Sequence, residues 1–258
     1  MNDRMNAFSI ADLPATLVTL TLALFSTAAQ ASVVINNTRI VYPQNDKEVT
    51  VRLESKNQAP VLIQAWLDNG DEHSTPDLAG IPFIATPPVF RMEPGKQQVV
   101  RLAYTGGALP MTQESLFWFN LLEVPAQSHG AQQSNQLQLA FRSRIKVFLR
   151  PPNLPYEVEA APAKLQWRRE STALGQTLEV YNPTPYHVTF EQVELLASQQ
   201  RHARKAATSS AENMVVPGGR NRFELPSLKA PPDASATVEF QTLDDFGVKT
   251  SHSAKVSP

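Results

Sequence analysis

The chain has 258 residues, 42% hydrophobic and 18% charged, with 23 Lys and Arg against 24 Asp and Glu. This composition excludes a disordered or fibrous chain, and the near-zero net charge lacks the electrostatic footprint of a nucleic-acid binder. With no cysteine, disulfide scaffolds, thiol nucleophiles and thiolate-held metals are excluded, and 21 prolines against 10 glycines suit short strands with fixed corners.

The chain opens with a short polar stretch containing Arg4, followed by an apolar run from Leu13 to Phe25 and the small-residue triplet Ala29-Gln30-Ala31. This pattern predicts a cleaved signal peptide over residues 1–31, with the cut after Ala31 and an exported, soluble product. The rival, a membrane anchor, needs a run of about 20 apolar residues, and no basic stop-transfer cluster follows this shorter one. Removing residues 1–31 takes away Asp3, Arg4 and Asp12 and leaves the acidic and basic residues equal in number.

The following segments alternate at the strand period. Val49, Val51 and Leu53 share one face, as do Val61, Ile63, Ala65 and Leu67, and Asp68-Asn69-Gly70 supplies a turn. Glu93-Pro94-Gly95 has the Pro-Gly centre of a type II turn, and Val99–Tyr104 reads as a strand. Leu116–Leu122 is a continuous apolar and aromatic run, expected as a strand buried on both faces. Residues Val124–Asn135 are polar and read as a mobile loop, and a long strand is expected from Gln136 to Leu149.

Three prolines in Pro151-Pro152-Asn153-Leu154-Pro155 cannot continue a β-ladder and mark a hinge over residues 151–155. The expected domains are therefore 32–150 and 156–258. In the second, Leu178 and Val180, then Val188, Phe190, Val193 and Leu195, and finally Thr237–Leu243 read as strands. Arg201–Glu212 reads as a loop, and Pro217-Gly218-Gly219 and Asp244–Gly247 as turns. No three-turn amphipathic helix is evident. The expected fold is all-β, two immunoglobulin-like sandwiches of about 100 residues each.

The chain makes a poor enzyme. Its five histidines, His73, His129, His187, His202 and His252, lack metal-ligand spacing, so no metal is expected. No nucleophile elbow, phosphate loop or dinucleotide fingerprint occurs, so neither a cofactor nor a small-molecule substrate is expected. Asp244 and Asp245 are adjacent and would point apart on a strand, which makes them a solvated turn rather than a catalytic pair.

The informative stretch is Leu137–Arg150. Leu137, Leu139 and Phe141 alternate on one face and either fill their own core or belong to an edge strand lent to a partner. Arg142 and Arg144 read as solubilising. Lys146 lies between Ile145 and Val147, and Arg39 beside Ile40 and Val41, so both are charges among apolar neighbours. Two such cations in a cleft would make an anion site, for instance for a chain-terminal carboxylate.

These residues resemble the periplasmic pilus-assembly chaperones, PapD-like and FimC-like. The likeness is carried by Asn37-Thr38-Arg39 with Val41-Tyr42, Ala65-Trp66-Leu67 and the block Pro82–Gly95 with its Thr86-Pro87-Pro88, Arg91 and Glu93-Pro94-Gly95. It continues through Val100-Arg101-Leu102, Glu114–Asn120, Arg144–Pro151, Asn182–Tyr186 and Asp245-Phe246-Gly247, spanning nearly the whole mature chain in order. The resemblance implies two immunoglobulin-like domains at an angle with a cleft between them. It implies a periplasmic chaperone that lends a strand to pilin subunits lacking their own last strand and delivers them to an outer-membrane usher. Arg39 and Lys146 match the family's anchor for the subunit's C-terminal carboxylate, Leu137, Leu139 and Phe141 its donor row, and Glu114, Arg150 and Asp245 its structural interdomain ionic cluster. The short loop before the donor strand resembles the branch serving rod-like pili. Lys146 lies five residues from Phe141, so either the two faces serve different contacts or a bulge intervenes. A free donor strand would also favour self-association. The alternative reading is a structural or adhesive β-sandwich component of a surface fibre.

Overall fold

The computed structural model describes residues 33–76, 80–126, 139–172, 175–197, 199–229 and 236–257. The leader 1–31, most of the 124–135 loop and Leu137 lie outside them.

The first half is a sandwich of two sheets. One has the order β1-β3-β7-β5, from Val33–Ile35 (β1), Val49–Ser55 (β3), Gln97–Tyr104 (β7) and Phe83–Thr86 (β5). The other has the order β2-β9-β8-β4-β6, from Arg39–Pro43 (β2), Phe141–Arg150 (β9), Ser115–Pro125 (β8), Val61–Asp68 (β4) and Val89–Met92 (β6). The alternating residues named above face inward: Val51, Leu53, Ile63 and Leu102 are fully buried, with Tyr42 and Phe119 among them. The Glu93–Lys96 turn forms as expected, with Gly95 at φ 66° and Lys96 N–H donating to the Glu93 carbonyl at 3.2 Å.

The second half is a further sandwich. Its strands are Gln166–Thr172 (β10), Gly175–Tyr181 (β11), Val188–Ala197 (β12), Gln200–Ala203 (β13), Met214–Val215 (β14), Arg220–Glu224 (β15), Thr237–Leu243 (β16) and Lys249–Ser257 (β17). The path is β13-β12-β16-β17-β10-β11-β15, with β14 also on β12 and a parallel β10–β17 pairing joining the two layers. Trp167, Phe190, Phe223 and Phe240 pack edge-on and tilted at its centre. Among the described residues the helical content is two short 3-10 turns, Val158–Ala160 and Pro162–Lys164.

Two sequence expectations need correction. The long strand begins at Phe141, not Gln136. Phe141 pairs with Glu123 on β8, so Leu139 would fall opposite Pro125, which has no N–H for the ladder. The 201–212 loop is shorter than expected, because Gln200–Ala203 pairs with β12 and turns His202 inward, its Nδ1 3.0 Å from Ser227 Oγ.

Candidate functional site

Strands β2 and β9 run parallel and place Arg39 directly opposite Lys146. Both side chains are buried, each at 8% exposure. Arg39 Nη1 donates to the Leu243 carbonyl at 3.0 Å, and Lys146 Nζ to the Ser210 carbonyl at 3.2 Å. These acceptors belong to the second half and carry no charge. Among the described residues neither cation has a carboxylate in ion-pair contact, and the buried Arg39 Nε has no hydrogen-bond partner. Burial, and then repulsion from Arg39, depress the Lys146 pKa to about 8. Burial likewise lowers that of Arg39, against the opposing pull of Asp245, Asp244 and Glu114. The pair is two buried cations side by side, each partly stripped of water.

Pairing of β2 with β9 covers only Lys146–Arg150. Among the described residues, no strand occupies the same edge of β9 over Phe141–Ile145. Phe141 is 56% exposed, and Leu139, just before the strand, is 53% exposed. Both therefore lie largely outside the core of their own domain. The register of β9 on β8 runs without a shift from Phe141 opposite Glu123 to Leu149 opposite Ser115. No bulge separates Phe141 from Lys146, so they occupy opposite faces: Phe141 shares the core face with Val147 and Leu149, and Lys146 shares the outer face with Arg142 and Arg144.

Those two arginines are not the solubilising residues expected from sequence. Arg144 Nη2 donates to both oxygens of Asp68 at 2.8 and 3.0 Å, and its Nε to Asn120 Oδ1 at 3.1 Å. Arg142 donates to Asn120 Oδ1 from Nε at 3.0 Å and from Nη2 at 2.8 Å, and to Ser74 Oγ at 2.8 Å. Asp68 and Asn120 are fully buried. Asp68 accepts further bonds from Gly70 N–H, Ser74 Oγ and Asn120 Nδ2. Burial alone would raise its pKa; the bonds from Asn120, Gly70, Arg144 and Ser74 hold it below the usual value. Sequence reasoning took Asp68 only as a turn residue. The available signal was Asn120, a lone amide inside the apolar run Leu116–Leu122 that must find partners once buried.

Glu114, Arg150 and Asp245 do come together. Arg150 Nε donates to Glu114 Oε1 at 2.8 Å, and its two terminal nitrogens bind the Asp245 oxygens at 2.6 and 2.8 Å. Burial disfavours the Arg150 charge, but the Asp245 and Glu114 contacts outweigh it and raise its pKa. Glu114 Oε2 also accepts from His187 N–H at 2.8 Å. The cluster thus joins the two halves. Beside it, Gly247 has φ 81°, and a Cβ there would come within 2.4 Å of Thr38 Oγ1, so this close approach needs glycine. Among the described residues no three His, Asp or Glu side chains gather in a metal-binding arrangement.

Comparison with known proteins matches residues 32–155 to the pili and flagellar-assembly chaperone, PapD N-terminal domain, and 160–254 to the pili assembly chaperone PapD, C-terminal domain. The probable fimbrial chaperone YadV of Escherichia coli K12 is 40% identical, covering 88% of this chain and 91% of its own. The chaperone protein FimB/FhaD of Bordetella pertussis is 36% identical, covering 92% and 93%. The crystal structure of the YadV chaperone superposes with a TM-score of 0.73 at 38% identity, covering 87% of this chain and all of that one. This chain belongs to the PapD family of fimbrial and pilus-assembly chaperones.

Proposed function

We propose that this chaperone captures pilin subunits along the open edge of β9 and holds the subunit's C-terminal carboxylate on Arg39 and Lys146. One observation carries the reading: β2 leaves β9 at Lys146, and two buried cations stand at that junction, neither in ion-pair contact with a carboxylate among the described residues. A strand continuing the line of β2 over Phe141–Ile145, with its chain end at the cations, must run parallel to β9. Such a strand gains backbone hydrogen bonds from the open edge and a doubly cationic seat for its terminus. Leu139 and Phe141, together with Leu137, would enter the groove left by the subunit's missing strand. Completing the burial of a half-exposed Leu or Phe contributes about 1 kcal/mol. The carboxylate sets register, because a slip of one residue would turn that row away from the groove.

Glu114, Arg150 and Asp245 are proposed as the structural cluster that keeps the two domains, 32–150 and 156–258, at a fixed angle across the 151–155 hinge. Residues 1–31 are proposed as the export signal and the periplasm as the place of action. Release then follows by exchange with a strand from another subunit at an outer-membrane usher, with no chemical step.

The test is a periplasmic pull-down from the native host under confirmed pilus expression, using C-terminally tagged wild type beside Lys146→Ala. Small pilin subunits are expected with the wild type and not with the folded variant. Recovery at wild-type yield by Lys146→Ala would overturn the anchor, and no subunits on folded wild type would overturn the capture reading.

A further inference from the structure

The open-edge segment of β9 is poorly supported by its backbone alone. Over Phe141–Ile145 it pairs with one neighbour, β8, and among the described residues has no strand on its other side. Segments held on one side fray more readily than central strands. A partner that binds a frayed segment must also pay the entropy of ordering it.

Two of the five residues in this segment carry a second attachment. Arg142 and Arg144 reach from β9 across β8, and Arg144 continues to Asp68 on β4. Asn120 on β8 receives both guanidinium groups on one oxygen. The Arg142 guanidinium lies 4.8 Å from the Trp66 ring and that of Arg144 4.7 Å from the Trp118 ring, so each is held from a second direction. Arg142 Nη1 also donates to the Glu72 carbonyl at 2.7 Å. Shifting β9 by one residue would turn both arginines toward the core and leave the fully buried Asp68 without its cation.

We infer that Asp68 and Asn120 are positioning residues, which hold Phe141–Ile145 ordered and in register before a subunit arrives. This inference depends on the capture reading above, since its purpose is to present the Phe141 row at a fixed spacing from Lys146. Asp68 and Asn120 touch no part of the incoming strand; they act through Arg142 and Arg144.

The experiment is hydrogen–deuterium exchange on the free full chain, wild type beside Asp68→Asn and Arg144→Gln, with the pull-down repeated on both variants. The second variant removes the β9 side of the contact from a less buried position and decides the matter if Asp68→Asn does not fold. Expected is exchange at least ~10-fold faster within Phe141–Ile145, unchanged exchange at Val147–Leu149, and a drop in subunit recovery of similar size. Unchanged exchange at Phe141–Ile145 would overturn the inference. Acceleration spread evenly over β4, β8 and β9 would also overturn it, because that is general destabilisation. So would local acceleration with undiminished recovery. If folded wild type recovers no subunit, the capture reading fails first and this inference with it; if wild type captures and the variants capture equally, only this inference fails.

Discussion

Replacing Lys146 with methionine should stabilise the free chaperone at neutral pH while removing its anchor. Lys146 is 8% exposed, and burial followed by repulsion from Arg39 takes its pKa from the ordinary 10.5 to about 8. At about 1.4 kcal/mol for each tenfold change in proton affinity, the folded chain carries a charge penalty of about 3 kcal/mol at pH 7. Methionine retains most of the apolar stem but loses the bond to the Ser210 carbonyl and the position 5.7 Å from the Trp118 ring. Those losses are worth about 1 kcal/mol, leaving the variant about 2 kcal/mol more stable. The pH dependence follows from the depressed pKa. Below pH 8 the lysine is protonated in both folded and unfolded chains, and the penalty is complete. Between pH 8 and 10.5 the folded chain releases the proton and the unfolded chain keeps it, so wild-type stability rises and the gap closes. Urea unfolding followed by tryptophan fluorescence at pH 7 and pH 10 measures both values. A variant less stable than wild type at pH 7, or a gap undiminished at pH 10, would refute the reasoning.

Arg150→Ala should destabilise the chain by about 3 kcal/mol in urea, because it strands the buried Glu114 carboxylate; a loss below about 1 kcal/mol would mean the cluster does not brace the halves. Gly247→Ala should cost about 2 kcal/mol through its positive φ and the clash with Thr38 Oγ1. Adding Thr38→Ala should recover part of that loss, and strictly additive thermal shifts in the double variant would refute the contact. Phe141→Asp should leave unfolding within about 0.5 kcal/mol of wild type, since the ring is largely exposed, yet abolish subunit recovery in the pull-down. Undiminished recovery would exclude Phe141 from the bound row.

Much of the fold was legible from residue order. The period of two at Val49–Leu53 and Val61–Leu67 named the core faces correctly, because alternation along a pleated strand is a local property. In the second half, Phe190 and Val193 break that period, and the register shift between Phe190 and Gln192 is its physical cause. What failed depended on neighbours. The start of β9 was misplaced because it is limited by Pro125 on another strand, and β13 was missed because its pairing with β12 makes a strand of a polar sequence.

The site divides in the same way. Sequence by itself pointed to the chain's family and to part of its strand and turn pattern, and it singled out Arg39 and Lys146 as charges set among apolar residues. These are properties of short windows and of motif order. Beyond the Glu114, Arg150 and Asp245 cluster that the family resemblance implied, only the tertiary structure decided which buried charges are neutralised. Arg144 finds Asp68 76 positions away, while Arg39 and Lys146 hydrogen-bond to carbonyl oxygens and lie over the Phe148 and Trp118 rings. A charge placed in the interior must be compensated by whatever the fold brings beside it, and that neighbour is set by long-range pairing and not by the adjacent chain.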